Sequence, residues 1–396
     1  MKIIIHDSAA HPFVFQLSKD LAKRNIKVFH LTSSFFQSPN QGNLNSTLNI
    51  PNLELISIDI GGVYSKTNFI KRRRGDILYG KAVSNKIKEI KPEIFINCVS
   101  PLDASVLIRQ TCKNNGVKYI TWLQDVYSVA TTAVLIKKNP LFGKLIGAYY
   151  ESIEANLLRT SEHVISITED FIPLLTSWKI KKEKVSVIPN WANINDIPVK
   201  NKNNQWSINN NLRDKFCFLY SGTLGFKHNP EILSALAIKF KNKPDVRVVV
   251  ISEGQGADRL RKEKATKIID NLIIMNYQPF DQLSNVLATG DVLISILEPD
   301  AGIYSVPSKV LTYLCAQRPL LLAVPSGNLA ARIVKNNNMG LVVEPEDLKS
   351  FQDAAIELYN NSSKRETLGK NARQYAVNNF DIEKIGTLFV ELLKID

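Results

Sequence analysis

The sequence predicts an α/β protein with two doubly wound parallel-sheet domains, and three observations lead to this prediction. With 396 residues, the chain exceeds the roughly 250 to 300 residues at which a single hydrophobic core stops growing. Short β-branched apolar runs alternate with helical periodicity over most of its length, as in parallel sheets covered on both faces. The alternation stops once, in a polar segment near residue 200, and then resumes.

Seven apolar runs predict the strands of the first domain, which we assign to residues 1–198. They are residues 2–5, 27–31, 53–60, 93–98, 118–122, 163–167 and 185–188. Helical segments lie between these strands, notably at residues 13–24, 77–90, 101–115 and 141–159. Strands that alternate with helices in this way pair in parallel, with helices on both faces of the sheet.

An asparagine-rich stretch, residues 199–212, is predicted to be a linker because it is turn-prone and lacks periodicity. A second alternating series follows and defines the second domain, residues 213–381. Its strands are predicted at residues 216–221, 246–252, 272–275, 292–296, 320–324 and 341–343. An amphipathic helix follows over residues 381–393, and the pattern alone predicts no packing partner for it.

The composition is that of a globular protein, with 44% hydrophobic and 22% charged residues. No stretch approaches the roughly 20 consecutive apolar residues that span a bilayer. Asp7 interrupts the first apolar run too early for a signal peptide. The four cysteines have no paired spacing that would suggest a zinc or redox site. We therefore expect a cytoplasmic protein with reduced, buried cysteines.

The net charge of +13 predicts attraction to an anionic partner, which could be nucleic acid, membrane lipid or a phosphorylated substrate. The densest cationic cluster is Lys71-Arg72-Arg73-Arg74, which reads either as a solvated loop or as a contact for an anionic surface. No zinc finger or aromatic-rich single-strand platform accompanies it. We therefore expect no nucleic-acid partner and favour the inner face of the cell membrane, to which the protein would bind peripherally.

Loops that follow parallel strands are where ligands of open α/β sheets bind. After the first strand of the second domain comes a loop that contains Gly222, Thr223 and Lys227. Its glycines permit close approach of a ligand to the backbone, and its lysine suits a diphosphate. After the next strand, Glu253 and Gly254 could contact a sugar or a base. Ordinary strand-to-helix turns with flexible glycines are the alternative for both loops.

The strongest local motif is the segment Ser305-Val306-Pro307-Ser308-Lys309, which enters a helix at about Pro307. Proline presets the backbone of a first helical turn. The N–H groups of Ser308 and Lys309 could then bind phosphate with the helix dipole behind them. A plain helix start without a ligand is the alternative.

Two residues of the first domain are candidates for catalysis. His11 lies in the loop after the first strand, which lacks the Gly-x-Gly-x-x-Gly dinucleotide fingerprint. Asp125 follows a later strand and could orient an acceptor or act as a base in a cleft between the domains. In the simpler interpretations, His11 is structural and Asp125 caps the next helix.

These motifs together resemble the retaining glycosyltransferases of family 4, specifically the bacterial branch that builds O-antigen, capsule or exopolysaccharide. The resemblance extends over nearly the whole chain. It is carried by residues 185–191, 221–229, 253–256, 277–283, 288–291, 306–309 and 318–319.

The resemblance implies the GT-B architecture, in which two Rossmann-like domains face a cleft. The second domain would bind a UDP- or GDP-sugar, and the first would bind a lipid-linked saccharide acceptor. The terminal helix, residues 382–396, would return to the first domain. Gly222 and Lys227 would contact the diphosphate, and Glu253 and Tyr277 would lie near the nucleoside.

In the resembled family, Ser308 and Lys309 would face the phosphates. The family generally needs no metal or other cofactor, so Lys227, Lys309 and helix N-termini would offset the charge of the leaving group. The donor's own phosphate oxygen would assist the incoming hydroxyl, with Asp125 and His11 positioning the acceptor. The anomeric configuration of the sugar would then be retained.

The sequence departs from the family pattern at three places. Tyr304 and Thr312 occupy positions where many members carry two glutamates, and Gln124 stands where a histidine is usual. Two further hypotheses therefore stay open. One is a sugar-nucleotide epimerase of the same architecture, and the other is a nucleotide-sugar-binding scaffold that has lost catalysis.

Overall fold

The computed structural model describes residues 1–35, 50–62, 64, 69–225, 228–299, 302, 304 and 306–394. The chain divides into two compact units. The first unit comprises Met1–Asn190 together with Ile382–Asp396, and the second comprises Trp191–Asp381. The change of unit thus falls at Trp191, ahead of the predicted linker.

The first unit contains a seven-stranded parallel sheet with the strand order β3-β2-β1-β4-β5-β6-β7. Its strands are β1 (Lys2–Asp7), β2 (Lys27–Ser33), β3 (Leu53–Ile58), β4 (Ile94–Val99), β5 (Lys118–Leu123), β6 (His163–Ser166) and β7 (Val185–Val187). Its helices up to the change of unit are α1 (Pro12–Lys23), α2 (Phe69–Ile90), α3 (Leu102–Asn114), α4 (Tyr127–Lys138), α5 (Pro140–Arg159) and α6 (Ile172–Ser177).

The second unit contains a six-stranded parallel sheet with the strand order β10-β9-β8-β11-β12-β13. The strands are β8 (Phe216–Ser221), β9 (Val246–Ile251), β10 (Leu272–Met275), β11 (Val292–Ile296), β12 (Leu320–Ala323) and β13 (Gly340–Val343). The helices are α7 (Gln205–Asn209), α8 (Glu231–Lys239), α9 (Gln255–Lys267), α10 (Leu283–Thr289), α11 (Ser308–Cys315), α12 (Leu329–Asn336), α13 (Leu348–Asn360) and α14 (Ser362–Asn379). The predicted class, two doubly wound parallel sheets, is confirmed.

Each sheet reverses its winding direction at one point. In the first unit β1 lies between β2 and β4, and in the second β8 lies between β9 and β11. Helices that leave neighbouring strands there depart to opposite faces, which opens a crevice at the carboxyl ends of the strands. These two edges are the places in each unit where a ligand site is expected.

The predicted linker, residues 199–212, is a folded part of the second unit. It contains α7, whose N-terminus is closed by reciprocal hydrogen bonds between Asn204 and Ser207 (3.0 and 3.2 Å). Trp206 is buried, and its Nε1 donates to Oε1 of Gln278 at 2.9 Å. The segment forms a helix because asparagine favours helix caps as much as turns, and because one buried indole anchors it.

The cationic cluster, residues 71–74, also differs from its loop interpretation, because it lies in the first turns of α2. This helix begins at Phe69, eight residues before the predicted start. Arginine and lysine are good helix formers, although they carry no apolar periodicity. Arg73 pairs with Asp103 of α3 at 3.3 Å. None of the helices in the described part of the chain is long and apolar enough to cross a membrane.

A final helix, α15 (Ile382–Leu393), packs on α1 of the first unit. Phe389 is fully buried, with its ring centroid 4.9 Å from that of Trp122. Arg24, the C-cap of α1, donates to the carbonyl oxygen of Glu383 (2.6 Å) and to the hydroxyl of Thr387 (3.1 Å). The apolar face of the terminal helix is thus buried among residues of the first unit.

Replacing Phe389 by alanine should lower the free energy of unfolding of the first unit by about 3 to 5 kcal/mol, because it empties a buried aromatic site. The neighbouring Leu388 is 48% exposed and serves as the matched control. Leu388→Ala should change stability by less than about 0.5 kcal/mol. Urea denaturation followed by tryptophan fluorescence measures both, and equal effects would show that α15 is not docked through Phe389.

Candidate functional site

The carboxyl end of β8 forms the floor of a candidate ligand site in the second unit. The hydroxyl of Tyr313, on α11, accepts from the N–H of Ser221 and donates to its carbonyl oxygen, both at 2.9 Å. Gly222 follows with φ +139°, a backbone conformation that side chains rarely adopt. The predicted need for glycine at this turn therefore has a geometric basis.

Lys309 lies directly above this turn. Its Nζ hydrogen-bonds the hydroxyl of Tyr220 and sits 3.8 Å from the centroid of that ring. A Cβ added to Gly222 would stand 3.1 Å from Nζ, so only glycine leaves the lysine its place. Burial lowers the pKa of Lys309 from its ordinary value to about 7. Within the described ranges, Lys309 is ion-paired to no carboxylate.

The helix that carries Lys309 begins one residue later than predicted. Ser308 is the first residue of α11, and Pro307 is the N-cap, with φ −70°. Backbone N–H groups of a first turn have no acceptor within the helix. The N–H groups of Ser308 and Lys309 are therefore available to an anion, as the motif predicts, with the dipole of α11 behind them.

A second group of candidate residues surrounds the neighbouring strand ends. The exposed Glu253 follows β9, and its Oε1 accepts from the N–H of Tyr277 at 3.0 Å. The Tyr277 hydroxyl hydrogen-bonds Oγ1 of Thr223 at 3.1 Å. Gly254 is the N-cap of α9, with φ +85°. The structure thus links Thr223, Glu253 and Tyr277, which come from three separate loops.

Two predicted site residues, Lys227 and Ser305, lie outside the described residues. Val306 is half-buried next to Pro307. Glu298, two residues after β11, is half-buried at the same edge of the sheet. The second unit therefore brings seven of the predicted donor residues to the ends of β8, β9, β10 and β11: Gly222, Thr223, Glu253, Gly254, Tyr277, Ser308 and Lys309.

In the first unit, an ion pair occupies the corresponding edge. Asp7 ends β1 and is fully buried, and its carboxylate contacts His11 Nδ1 at 3.0 Å. Asp7 also accepts from the N–H groups of Ala9 (3.1 Å) and His11 (2.5 Å). Burial alone would raise the pKa of Asp7, but the charge and hydrogen bonds of His11 outweigh it and hold the pKa below its ordinary value.

His11 has the opposite shift. Burial would lower its pKa, but the charge and hydrogen bond of Asp7, with a contribution from the charge of Asp125, raise it. Asp125 is exposed and follows β5 by two residues. The N-cap of α4 is Val126, and the N–H groups of Tyr127 and Ser128 donate to buried Glu154.

Sequence reasoning missed the residues that support these groups, namely Asp7, Tyr220 and Tyr313. Asp7 could have been found from the sequence, because a carboxylate that ends a buried strand four residues before a histidine can pair with that histidine. The tyrosines look like ordinary core residues in the sequence. All four cysteines are buried and free. In the part of the chain that is described, no three His, Cys, Asp or Glu side chains could together hold a metal ion.

The fold class of the protein is GT-B, that of two-domain glycosyltransferases. The chain is similar to HepE of Anabaena, solved in complex with UDP and glucose, with a TM-score of 0.75 and 14% sequence identity. The likeness covers 100% of this chain and 99% of HepE.

Residues 201–375 match the protein family described as Glycosyl transferases group 1. This segment contains the Lys309 site and almost all of the second unit. The match lies entirely within the second unit.

Two curated relatives have related names. A GDP-mannose-dependent monoacylated alpha-(1-6)-phosphatidylinositol monomannoside mannosyltransferase of Corynebacterium glutamicum is 21% identical over 168 residues, which are 42% of this chain and 44% of the relative. The "Probable glycosyltransferase WbjE" of Pseudomonas aeruginosa is 23% identical over 235 residues, which are 59% of this chain and 57% of the relative. The chain thus spans about half the length of the curated relatives it matches.

Replacing Asp7 by asparagine should lower the pKa of His11 from above its ordinary value to below it. The substitution removes the attracting charge, whereas burial, which disfavours the imidazolium, remains. Titration of the histidine ring signals by NMR measures the change, with His11→Gln to assign the resonance. His163, the half-buried first residue of β6, should titrate unchanged. An unshifted His11 would show that Asp7 does not control its charge.

Proposed function

We propose that this protein is a glycosyltransferase that moves a sugar from a nucleoside diphosphate sugar to a lipid-linked saccharide. The observation that carries the proposal is the position of Lys309, a half-buried cation at the winding reversal of the second sheet, beside Gly222 and above Tyr220. An ammonium that is partly removed from water and has no anion beside it is unfavourable. An anionic ligand at this point offsets that cost.

The donor diphosphate fits the chemistry at this edge. Lys309 supplies a positive charge, and the first turn of α11 supplies N–H donors for phosphate oxygens. Tyr277 and Glu253 lie next to the turn and suit the ribose or base. When the bond from the sugar C1 to the phosphate oxygen breaks, negative charge grows on the diphosphate, and fixed cations and dipoles stabilise it.

In the proposed reaction, the acceptor hydroxyl forms the new bond to C1 and passes its proton to the departing phosphate oxygen. This would retain the anomeric configuration. Asp125 and the Asp7–His11 pair of the first unit would position the acceptor. The pair suits this role because its hydrogen bonds fix the imidazole, which therefore costs little ordering when an acceptor binds.

Two observations support the proposal of a lipid-linked acceptor. The net charge of +13 favours an anionic surface. The name of the Corynebacterium relative includes a phosphatidylinositol mannoside, which is a lipid-anchored sugar. Work at the inner face of the cell membrane, in the synthesis of a bacterial surface polysaccharide, would bring the enzyme to such an acceptor.

Nucleoside diphosphates of one base, uracil or guanine, and their sugars should raise the melting temperature of the protein. Lys309→Ala should abolish this shift, because the half-buried cation is lost. Lys335→Ala, an exposed lysine of α12, is the control and should leave the shift intact. The effect should be greatest below pH 7. Above that pH free Lys309 loses its proton, so the affinity should fall by up to about tenfold per pH unit.

No melting shift with any nucleotide would contradict the proposed donor site. A shift that survives in Lys309→Ala would move the site away from α11 but leave nucleotide binding intact.

Asp125→Asn and His11→Gln should each lower kcat by about 100-fold or more, while the nucleotide-dependent melting shift stays unchanged. Release of nucleoside diphosphate in the presence of donor and acceptor measures the effect. Full turnover in the variant that carries both substitutions would remove these residues from the mechanism.

A second candidate, a nucleotide-sugar-binding scaffold, is favoured by the tyrosine at position 304 and the threonine at position 312. Thr312 is half-buried on α11, three residues after Lys309. A scaffold would bind the donor and release no diphosphate with any acceptor. An epimerase would convert the donor sugar without consuming an acceptor, so the same assay separates the three functions.

A further inference from the structure

Helices α4 and α5 form a tightly packed hairpin. Two glycines of α5 allow this close approach. A Cβ on Gly143 would stand 2.5 Å from the backbone nitrogen of Ile136, and one on Gly147 would stand 2.4 Å from Oγ1 of Thr132. Asn139 closes the turn, since its side chain accepts from the N–H of Phe142 at 3.2 Å. The turn between the helices is therefore a tight tip.

The hairpin tip extends beyond the carboxyl edge of the first sheet. Helix α4 starts at this edge, directly after β5. Glu154 of α5 lies beside this start, because it accepts from the N–H groups of Tyr127 and Ser128. Tyr150 reaches Asp103, in the first turn of α3, at 3.4 Å. Leu141 lies nine residues before Tyr150, which is about 13 Å further along the helix axis.

Three large apolar side chains cover the tip. Leu141 is 79% exposed, Phe142 is 65% exposed and Leu145 is 71% exposed. At about 100° per residue they occupy one arc of α5, on the side away from Gly143 and Gly147. Apolar side chains concentrated on a protruding tip, and not in a groove, suit insertion into a soft apolar phase.

Cationic residues lie on the tip itself and on the neighbouring helix α2. Lys144 is exposed between Phe142 and Leu145. Helix α2, whose N-terminus lies at the same edge of the sheet, contacts α5 through Arg73 and the hydroxyl of Tyr149 at 3.2 Å.

One exposed face of α2 mixes apolar and cationic side chains, namely Ile70 (79% exposed), Arg74, Leu78 and Lys81. Arg74, Leu78 and Lys81 are also among the residues that line an open groove of about 520 Å³. The groove gives room for a phosphate headgroup beside these cations.

We propose that the α4–α5 tip and this face of α2 form a docking surface for an anionic lipid bilayer. The three apolar side chains enter the boundary between headgroups and acyl chains, and Arg74, Lys81 and Lys144 bind the lipid phosphates. The positive charge of Lys144 and of the α2 face favours an anionic lipid surface over a neutral protein partner. The docking proposal does not depend on sugar transfer. We also infer that Asp125, at the same edge, would face the bilayer, and this inference rests on the proposed function.

Not every arginine of the cationic cluster is available for docking. Arg72 is half-buried and hydrogen-bonds Tyr64, and Arg73 is paired with Asp103. The charge variant should therefore be Arg74→Gln, Lys81→Gln and Lys144→Gln, which spares the fold. The apolar variant is Leu141→Ser, Phe142→Ser and Leu145→Ser. A matched control replaces exposed apolar residues of the second unit, Ile268, Leu348 and Val377, by serine.

Sedimentation with phosphatidylcholine vesicles, with and without phosphatidylglycerol, tests the proposal. The wild type and the control should bind the phosphatidylglycerol vesicles, and the apolar variant should bind them at least about tenfold more weakly. The charge variant should lose the preference for anionic vesicles and the sensitivity to salt. The nucleotide-induced melting shift should be equal in all four proteins, which separates docking from the donor site.

Wild-type binding by the apolar variant would overturn the proposal. Sedimentation velocity without vesicles gives a second contradicting outcome. The proposal would also be overturned if the wild type self-associates and the apolar variant does not. That result would assign the surface to a contact between copies of the chain. All substituted side chains are exposed, so unchanged melting temperatures without ligand are expected and confirm that the variants fold.

Discussion

The parallel pairing of strands constrains where every candidate functional group of this protein can lie. In a parallel sheet all strands end at the same edge, so residues far apart in sequence meet there. Thr223, Glu253 and Tyr277 follow three different strands and are connected by hydrogen bonds. Asp7 and Asp125 follow β1 and β5, and both act on the charge of His11. The order of strands thus decides which loops can share a ligand.

The charged side chains at the two sheet edges have different kinds of partner. In the first unit, Asp7 accepts several hydrogen bonds from the loop that follows it, and His11 completes the pair. Each charge of this pair has its partner within the first unit. The pair therefore suits the proposed positioning of an acceptor. In the second unit, Lys309 has a tyrosine hydroxyl and a ring face as its partners, neither of which carries a negative charge. Such a site favours an anion, and this is the reason why we propose it as the donor site.

Small residues also determine the form of the first unit. Gly143 and Gly147 let α4 and α5 pack at backbone contact, and the tight hairpin lifts Leu141 and Phe142 clear of the sheet. These exposed apolar side chains are the basis of the proposed docking surface.

The sequence by itself determined the two parallel sheets, because near-continuous apolar strands and amphipathic helices are local patterns that burial on both faces requires. It also identified Gly222 and the segment before Lys309, since glycine and proline restrict the backbone locally. The tertiary structure alone decided that Asn204 and Trp206 fold as a helix, that Glu154 meets the start of α4, and that Tyr220 lies beneath Lys309. Each of these depends on contacts between residues distant in sequence, and side-chain patterns along the chain carry no record of such distances.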